Sequence, residues 1–460
     1  MLAFATAASA QPQTLEKLIE KARANDHRVQ EAQAQLRVLR GKYDEARWAW
    51  FPRIETTFLV GGPMPEARNN GVGGPPTTEA SYTYDSNWGN VGVMLRAEAQ
   101  GVLPIYTFGK LDALKALGAR GVDVGVALKV RAQDEAEFQV AQAFFGLQLA
   151  RQGSKSLDET MQRLRDAQAT IERLRAAESD QVTQMDVFKL EFFQRQVQAR
   201  QGQATSGSRL ALAAIKLLTA TDPGAELLVA DQELSEPVGT LPAIDAWLKL
   251  AQDSRPELKA IAAGIALREQ EVIIRERMFL PDFGLAGFAR WVWTSSTTRQ
   301  VSPFAYDPFN ELSAGIGLVG RYTWDFPIKT AQLEQSRAEL EKLTHQQQLL
   351  IGGVGLEVEK AWGELADALV RATHQAEAEK SARRWANSAF AAFDLGTTDT
   401  RDTVDSFTAL ATATAEKSKA WYDVQLGLKA LQKAVGAPVG LIPPPISRPP
   451  PPALVPAPPE

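Results

Sequence analysis

Residues 47–60 read RWAWFPRIETTFLV, and residues 276–288 read ERMFLPDFGLAGF. Each stretch begins as the end of a charged segment with helical spacing, and each meets a proline, Pro52 or Pro281, directly after a bulky apolar residue. Because proline lacks a backbone N–H and disfavours the α conformation in the residue before it, a helix is expected to end at each site. Each stretch then continues with strand character, so the two crossings predict a duplicated unit.

The composition argues against several classes of protein. The chain has 460 residues and a net charge of −5. It therefore lacks the excess of basic residues that is typical of nucleic-acid-binding proteins. It has no cysteine, which removes disulfides, thiolate metal sites and cysteine nucleophiles. Its 3 histidines are scattered, and no Ser-His-Asp order, phosphate loop or metal cluster stands out. We therefore expect no enzyme activity, no metal and no cofactor.

Both ends of the chain read as segments outside the fold. Residues 1–10, MLAFATAASA, end in an A-x-A pattern and are interpreted as a signal-peptide remnant, with an ordinary alanine-rich start as the alternative. Residues 437–460 are dominated by proline and are expected to be disordered or polyproline II. No run of about 18 apolar residues follows the start, so only strands could span a membrane.

The chain between these ends divides into two repeats of the same order. The first repeat, 11–239, is predicted to contain a helix, strands at 53–61 and 89–103, and a long helical hairpin at 109–220. The second repeat, 240–436, is predicted to contain a helix, strands at 282–293 and 312–324, and a long helical hairpin at 329–435. The helical segment 25–36 also aligns without gaps with 254–265.

The predicted strands have one apolar face and one polar face. In 89–103, Val91, Val93 and Leu95 alternate with residues that include Arg96 and Glu98. Such alternation is typical of barrels with lipid outside and water inside, so we expect Arg96, Glu98 and Arg321 to face a lumen. Aromatic residues of the kind that concentrate at bilayer interfaces stand at the strand ends: Trp48, Trp50, Phe51, Trp88, Trp291, Trp293, Tyr322 and Trp324.

Four strands cannot close a barrel, and an open edge in lipid leaves backbone groups unpaired. Several chains would have to pool their strands, and three chains would supply twelve. The alternative is a soluble four-stranded sheet packed on helices. The helices carry charge around much of their circumference, which suits either a tube that is wet inside and outside or an ordinary exposed coiled coil.

With both repeats laid out, the sequence resembles the TolC-like outer-membrane efflux protein family. The resemblance covers residues 14–436 and is carried by the order of the segments, the WFPRI and FLPDF crossings, and the AQAFFGL and EKAWGEL stretches of the long helices. The most specific stretch is FDLGTTDTRDTVDSF at 393–407, which is similar to the second periplasmic turn of the family.

The resemblance implies a mainly α fold with a small β part. Long coiled-coil hairpins would accompany four strands per chain, and three chains would form a twelve-stranded transmembrane β-barrel. It further implies a bacterial outer membrane location extending into the periplasm, and a passive conduit in a tripartite efflux or type I secretion system. A periplasmic adaptor protein and an inner-membrane transporter would be the partners. The alternative is a periplasmic structural or adaptor-like coiled coil that enters no membrane.

The resemblance also assigns residues at the turn between the second pair of long helices. Asp402 and Asp405 match acidic positions that ring the periplasmic entrance, and their i, i+3 spacing puts them on one helix face. They could instead be solvated aspartates favoured by a helix start. Gly396 and Thr397 match the turn presented to the adaptor. Thr398 stands where some members of the family have an arginine that helps lock the entrance.

The strand alternation generates a prediction. A charged residue at Val93 is expected to cost about 2–4 kcal/mol if the position lies near the bilayer midplane, whereas the same change at Met94 should be mild. The thermal stability of the two variants in the same detergent measures the difference. Equal tolerance at both positions would contradict a membrane assignment.

Overall fold

The structure is a computed structural model of the chain. It describes residues 12–68, 85–176, 183–297, 307–395, 397–398 and 400–441. The predicted signal-peptide segment and the tail beyond residue 441 lie outside these ranges.

The fold is mainly helical with one small sheet, as the sequence predicts. The described elements are α1 (Leu15–Asn25), α2 (His27–Arg47), β1 (Arg53–Arg68), β2 (Asp85–Tyr106), α3 (Lys110–Ala176), α4 (Gln184–Leu218), α5 (Ile244–Ser254), α6 (Pro256–Arg277), β3 (Asp282–Thr294), β4 (Glu311–Arg321), α7 (Phe326–Asp394) and α8 (Thr400–Val435). The order of two helices, two strands, a long helix and a shorter helix occurs twice, which confirms the two structural repeats. No helix within the described ranges has a stretch both long and apolar enough to cross a membrane.

Both repeats break their first helix at a buried charged residue. Asp26 separates α1 from α2, and its carboxylate accepts hydrogen bonds from the backbone N–H of Arg28 at 2.8 Å and from the Arg28 guanidinium at 2.8 Å. Arg255 separates α5 from α6 and donates to the carbonyl of Lys433 at 2.6 Å. Pro256 then starts α6, because a helix needs no N–H at its first position. The break between α1 and α2 is also indicated by the sequence, because Asn25-Asp26 interrupts the helical spacing of residues 14–47.

The first two strands extend further than the sequence suggested. β1 continues beyond residue 61 to Arg68, and β2 begins at Asp85 rather than at residue 89. Glycine and proline after residue 60 favour a loop in the sequence. In the structure a β-bulge shifts the register between Gly61 and Met64, and the pairing of β1 with β2 continues beyond it.

The ends of β2 and β4 also differ from the sequence reading. β2 continues through Pro104 to Tyr106. Its pairing with β1 stops at Val102, so Pro104 has only β3 as a neighbour, and a missing N–H is tolerated there. β4 ends at Arg321 rather than at residue 324, because α7 begins only a few residues later, at Phe326.

The four strands form one antiparallel sheet in the order β1-β2-β3-β4. Arg53 pairs with Val102, and Asp282 pairs with Arg321, at the same end of the sheet. The four helices that adjoin the strands in sequence, α2, α3, α6 and α7, all connect at this end. Lys110 binds the carboxylate of Asp282 at 2.9 Å there, which joins the start of α3 to the start of β3.

The chain separates into two compact units, and each draws on both repeats. We call Met1–Arg37, Val124–Ala262 and His345–Glu460 the helical unit, and Val38–Asp123 with Ala263–Thr344 the sheet unit. The boundary of the repeats at 239/240 stays a prediction.

Three clusters form the core of the helical unit. One belongs to the first repeat, with Phe144 and Ile215 fully buried, and one to the second repeat, with Leu365 and Leu431. The third combines α3 and α4 with α7 and α8. Each repeat therefore has a core of its own, and the third cluster joins the two long hairpins.

Charged side chains are buried between the helices as well. Glu379 of α7 is 4% exposed and accepts hydrogen bonds from Arg383, while Lys417 of α8 lies 3.4 Å from its second oxygen. Burial by itself would raise the pKa of Glu379, but the Arg383 hydrogen bond and the Lys417 charge outweigh it and hold the pKa below its ordinary value of 4.5.

This depressed pKa predicts a pH dependence. A carboxylate with a lowered folded-state pKa stabilises the fold above its unfolded pKa, and that contribution is lost as the pH falls through the folded value. Glu379→Gln should therefore lower stability by about 1–3 kcal/mol at pH 7. This loss of stability should become smaller as the pH falls below 4.5, the ordinary pKa of the carboxyl group. Thermal unfolding of wild type and variant across this range checks it, and a pH-independent difference would contradict it.

Candidate functional site

One face of the sheet is almost entirely apolar. Directly opposite residues on neighbouring strands share a face, so the pairs Phe58↔Ala97, Ala97↔Trp291 and Trp291↔Leu312 place one apolar row across all four strands. Leu312, Ile316 and Leu318 are 83%, 84% and 84% exposed, so the chain itself does not cover this face. An uncovered apolar face of this kind marks a surface that meets lipid or another protein.

The opposite face carries a row of ion pairs. Glu98 of β2 meets Arg96 at 2.8 Å and Arg290 of β3 at 2.7 Å, and Arg290 lies 3.8 Å from Glu311 of β4. Arg321 stands directly opposite Asp282 of β3. Asp282 is an even number of residues from Arg290 along β3, so all three residues share this face. The predicted Arg96, Glu98 and Arg321 are thus brought to one polar face. That this face borders a lumen stays a prediction.

The sequence reading missed Arg290 and Glu311 as members of this row. Alternation along β3 could have assigned Arg290 to the polar face, because Trp291 and Trp293 are on the other one. The contact with Glu98 needed the cross-strand register, which joins segments almost two hundred residues apart in sequence. Local patterning contains no information on that register.

Alternation also places Val93 on the apolar face with Leu95. Val93 lies next to the bulge in β1 and one residue past the last β2–β3 pair, Met94↔Thr294, and its N–H donates to Ser295 Oγ at 3.0 Å. It therefore lies just beyond the end of the β2–β3 ladder, although it is well inside β2. Ala97, which has partners on both sides in the middle of the ladder, is the sharper position for a charged substitution.

Aromatic side chains gather at the end of the sheet where the helices connect. Trp48 and Trp50 stack with ring centroids 6.0 Å apart, and both are about half exposed. At the second crossing, Tyr322 and Trp324 make an edge contact at 5.0 Å, and Trp324 is 80% exposed. Trp291 and Trp293 lie towards the other end of β3. Such amphipathic rings prefer the boundary between lipid and water.

The two predicted entrance aspartates lie on the exposed side of α8. Asp402 and Asp405 are exposed, whereas Val404 and Phe407 between and beyond them are buried in the cluster that joins the long hairpins. Thr398 donates to Asp402 at 3.4 Å, and Arg401 lies 3.7 Å from Asp405. Both contacts are long and exposed, and the Arg401–Asp405 ion pair is of the kind that contributes little.

The predicted adaptor turn follows the end of α7. The backbone N–H and the hydroxyl of Thr397 both donate to the carbonyl of Ala392, each at 2.9 Å, which closes the helix end. Thr397 is exposed. Gly396 lies outside the described residues. The roles of Thr397, Gly396, Asp402 and Asp405 remain predictions.

The comparisons with known proteins give a family-model match over part of the chain and a shared fold. Residues 247–437 match the family model described as outer membrane efflux protein. No curated protein sequence matches the chain. The matched range includes β3, β4, α7 and α8, and therefore Asp402 and Asp405.

The similar solved structures include membrane channels. CusC is 14% identical with a TM-score of 0.74, and 93% of each chain is covered. VceC from Vibrio cholerae is 16% identical with a TM-score of 0.70, covering 92% of this chain and 96% of that one. MtrE from Neisseria gonorrhoeae is 15% identical with a TM-score of 0.71, covering 92% and 89%. At these identities the similarity shows a shared fold.

The match of residues 247–437 to the outer membrane efflux protein family model agrees with the two-faced sheet and the long helices, and the chain shares the fold of these channels along nearly its whole length.

Proposed function

We propose that three copies of the chain form a passive conduit from the periplasm to the exterior, as the outer-membrane component of a tripartite efflux or type I secretion system. One observation carries the proposal: a four-stranded antiparallel sheet with one exposed apolar face, one ion-paired polar face and two open edges. Lipid suits the first face and water suits the second.

Three copies are proposed because the sheet is incomplete by itself. In hydrocarbon every backbone N–H and C=O must be bonded within protein, which an isolated four-stranded sheet cannot achieve at its edges. Twelve strands from three copies would make a closed antiparallel barrel within the size range of outer-membrane barrels. The polar faces would then line its interior, with Arg96, Glu98 and Arg321 at the water.

The proposed partners are a periplasmic adaptor protein and an inner-membrane transporter. The sequence contains no phosphate-binding loop motif for nucleotide hydrolysis. The energy for export would therefore come from the transporter. The turn after α7, with Gly396 and Thr397, is the proposed contact for the adaptor. An exposed turn between two long helices is accessible to a second protein without any rearrangement of the helical core.

Asp402 and Asp405 are proposed to form the acidic ring at the periplasmic entrance. They are exposed on one side of α8, and threefold symmetry would bring six carboxylates around an axis. Carboxylates at a narrow opening attract cations, and walls of low dielectric constant strengthen that field. Arg401 near Asp405 moderates this charge without cancelling it.

This ring predicts the ion selectivity of the pore. Wild-type protein in planar bilayers should prefer cations and should be blocked by multivalent cations. Asp402→Ala with Asp405→Ala should weaken both the preference and the block, because the negative charge at the opening is removed. Single-channel conductance and reversal potentials measure the two effects.

A matched control removes the same charge elsewhere. Glu226→Ala with Glu236→Ala takes two exposed carboxylates from the connector between α4 and α5, and should leave selectivity and block as in wild type. If the Asp402 and Asp405 variant behaves like this control, the two aspartates are solvated helix-start residues and the entrance ring lies elsewhere.

A further inference from the structure

The sheet presents two unpaired edge strands, and together they suggest how copies of the chain meet. β1 and β4 are the outer strands of the order β1-β2-β3-β4, with 16 and 11 residues. Within the described residues neither outer edge has a strand partner. Because the sheet is antiparallel throughout, β4 of one copy runs opposite to β1 of another, so the two edges can join without a change of direction.

We propose that β4 pairs antiparallel with β1 of a second copy, in the register that sets Arg321 directly opposite Glu55 of the partner subunit. This inference rests on the proposed trimeric conduit and deepens it by naming the contact that closes the barrel. Three constraints select the register: the sidedness of the two strands, the position of their ends, and the charges on the polar face.

The first constraint is that the apolar faces of β1 and β4 must lie on the same side of the joined sheet. Along β1 the apolar face carries Ile54, Phe58 and Val60, and along β4 it carries Ile316 and Leu318, all at even-numbered positions. Residues directly opposite each other share a face, and a slip by one residue would turn every apolar side chain of one strand to the polar side. Even positions must therefore face even positions, and Arg321 must face an odd-numbered residue of β1.

The second constraint is the position of the ends. β1 starts at Arg53 and β4 ends at Arg321, and both lie at the end of the sheet where the helices connect. Symmetric copies keep their helix-connected ends together. Arg321 therefore meets the start of β1, where the odd-numbered candidates are Arg53, Glu55 and Thr57.

The third constraint is charge. Opposite Arg53, Arg321 would place two guanidinium groups side by side, which destabilises a cross-strand pair, and Thr57 offers no charge. Glu55 offers a carboxylate whose contact within the chain is a 3.5 Å hydrogen bond from Gln100. The ion-pair row from Glu98 to Glu311 would thus gain a counterpart at each junction between copies.

The same register gives the apolar face compatible neighbours. It sets Leu318 opposite Phe58 of the partner subunit and Ile316 opposite Val60 of the partner subunit. Pairs of an aromatic with an aliphatic residue, and of two β-branched residues, are favourable across strands. All four side chains are at least 73% exposed in the single copy, so the contact covers apolar surface that the chain leaves open.

Disulfide cross-linking tests the register directly, because the chain has 0 cysteines. Phe58→Cys with Leu318→Cys, oxidised in mild detergent, should give covalently linked trimers on a non-reducing denaturing gel. Each single-cysteine variant should stay monomeric on that gel. Thr56→Cys with Leu318→Cys and Val60→Cys with Leu318→Cys are the matched controls. Both are displaced by two residues, to diagonal distances of about 7–8 Å, beyond the Cβ separation of about 3.5–4.5 Å that a disulfide needs.

The outcomes separate the register from the assembly. If a displaced pair cross-links instead, the register is overturned and the trimer stands. If none of the pairs links, while an amine-reactive cross-linker still yields a three-chain species from the wild type, pairing of β4 with β1 is overturned. If the amine-reactive reagent also yields no three-chain species, the trimeric conduit itself fails.

Charge reversal tests the ion pair within that register. Glu55→Arg and Arg321→Glu should each lower the temperature at which trimers dissociate in denaturing detergent, because each places like charges opposite one another at every junction. The combined variant should regain most of the loss. If the double variant dissociates no later than the single variants, Arg321 and Glu55 of the partner subunit are not opposed.

Discussion

The constraint on which the structure depends is that a strand in hydrocarbon must have all of its backbone hydrogen bonds made by protein. Within the described residues, the sheet unit satisfies this only where its two inner strands are paired on both sides, and the outer edges of β1 and β4 have no strand partner. The alternation of apolar and polar residues agrees with the same constraint. In a closed barrel, one face of the sheet contacts lipid and the other faces water. In the proposed trimer, the apolar residues that a single copy exposes would contact lipid and neighbouring copies.

In the helical unit, the long helices must be held in one alignment along their axes. Their apolar seams are narrow, so hydrophobic contact alone does not fix this alignment. Glu137 of α3 is 8% exposed and binds Arg23 of α1 at 2.6 Å, Lys429 of α8 at 3.0 Å and Gln432 at 2.9 Å. Removing one partner from such a buried network leaves an uncompensated charge, so the network disfavours helices that slide by a turn. Buried Arg255, at the break between α5 and α6, has a similar effect because it binds the carbonyl of Lys433 in α8.

The sequence predicted what local rules determine. The helix ends before Pro52 and Pro281, the break at residue 26, and the sides of the strands to which Arg96, Glu98 and Arg321 belong all follow from neighbouring residues. What it missed depends on distant ones. The contact of Arg290 with Glu98 needs a register between strands of different repeats. The passage of β2 through Pro104 depends on where β1 starts. The buried role of Arg255 needs α7 and α8 beside it.

Native mass spectrometry of the protein, extracted from outer membranes in mild detergent, tests the central claim most directly. The account predicts particles of three chains, because four strands per chain cannot close a barrel and twelve can. Particles of a single stable chain, or a protein recovered entirely from the soluble periplasmic fraction, would contradict it.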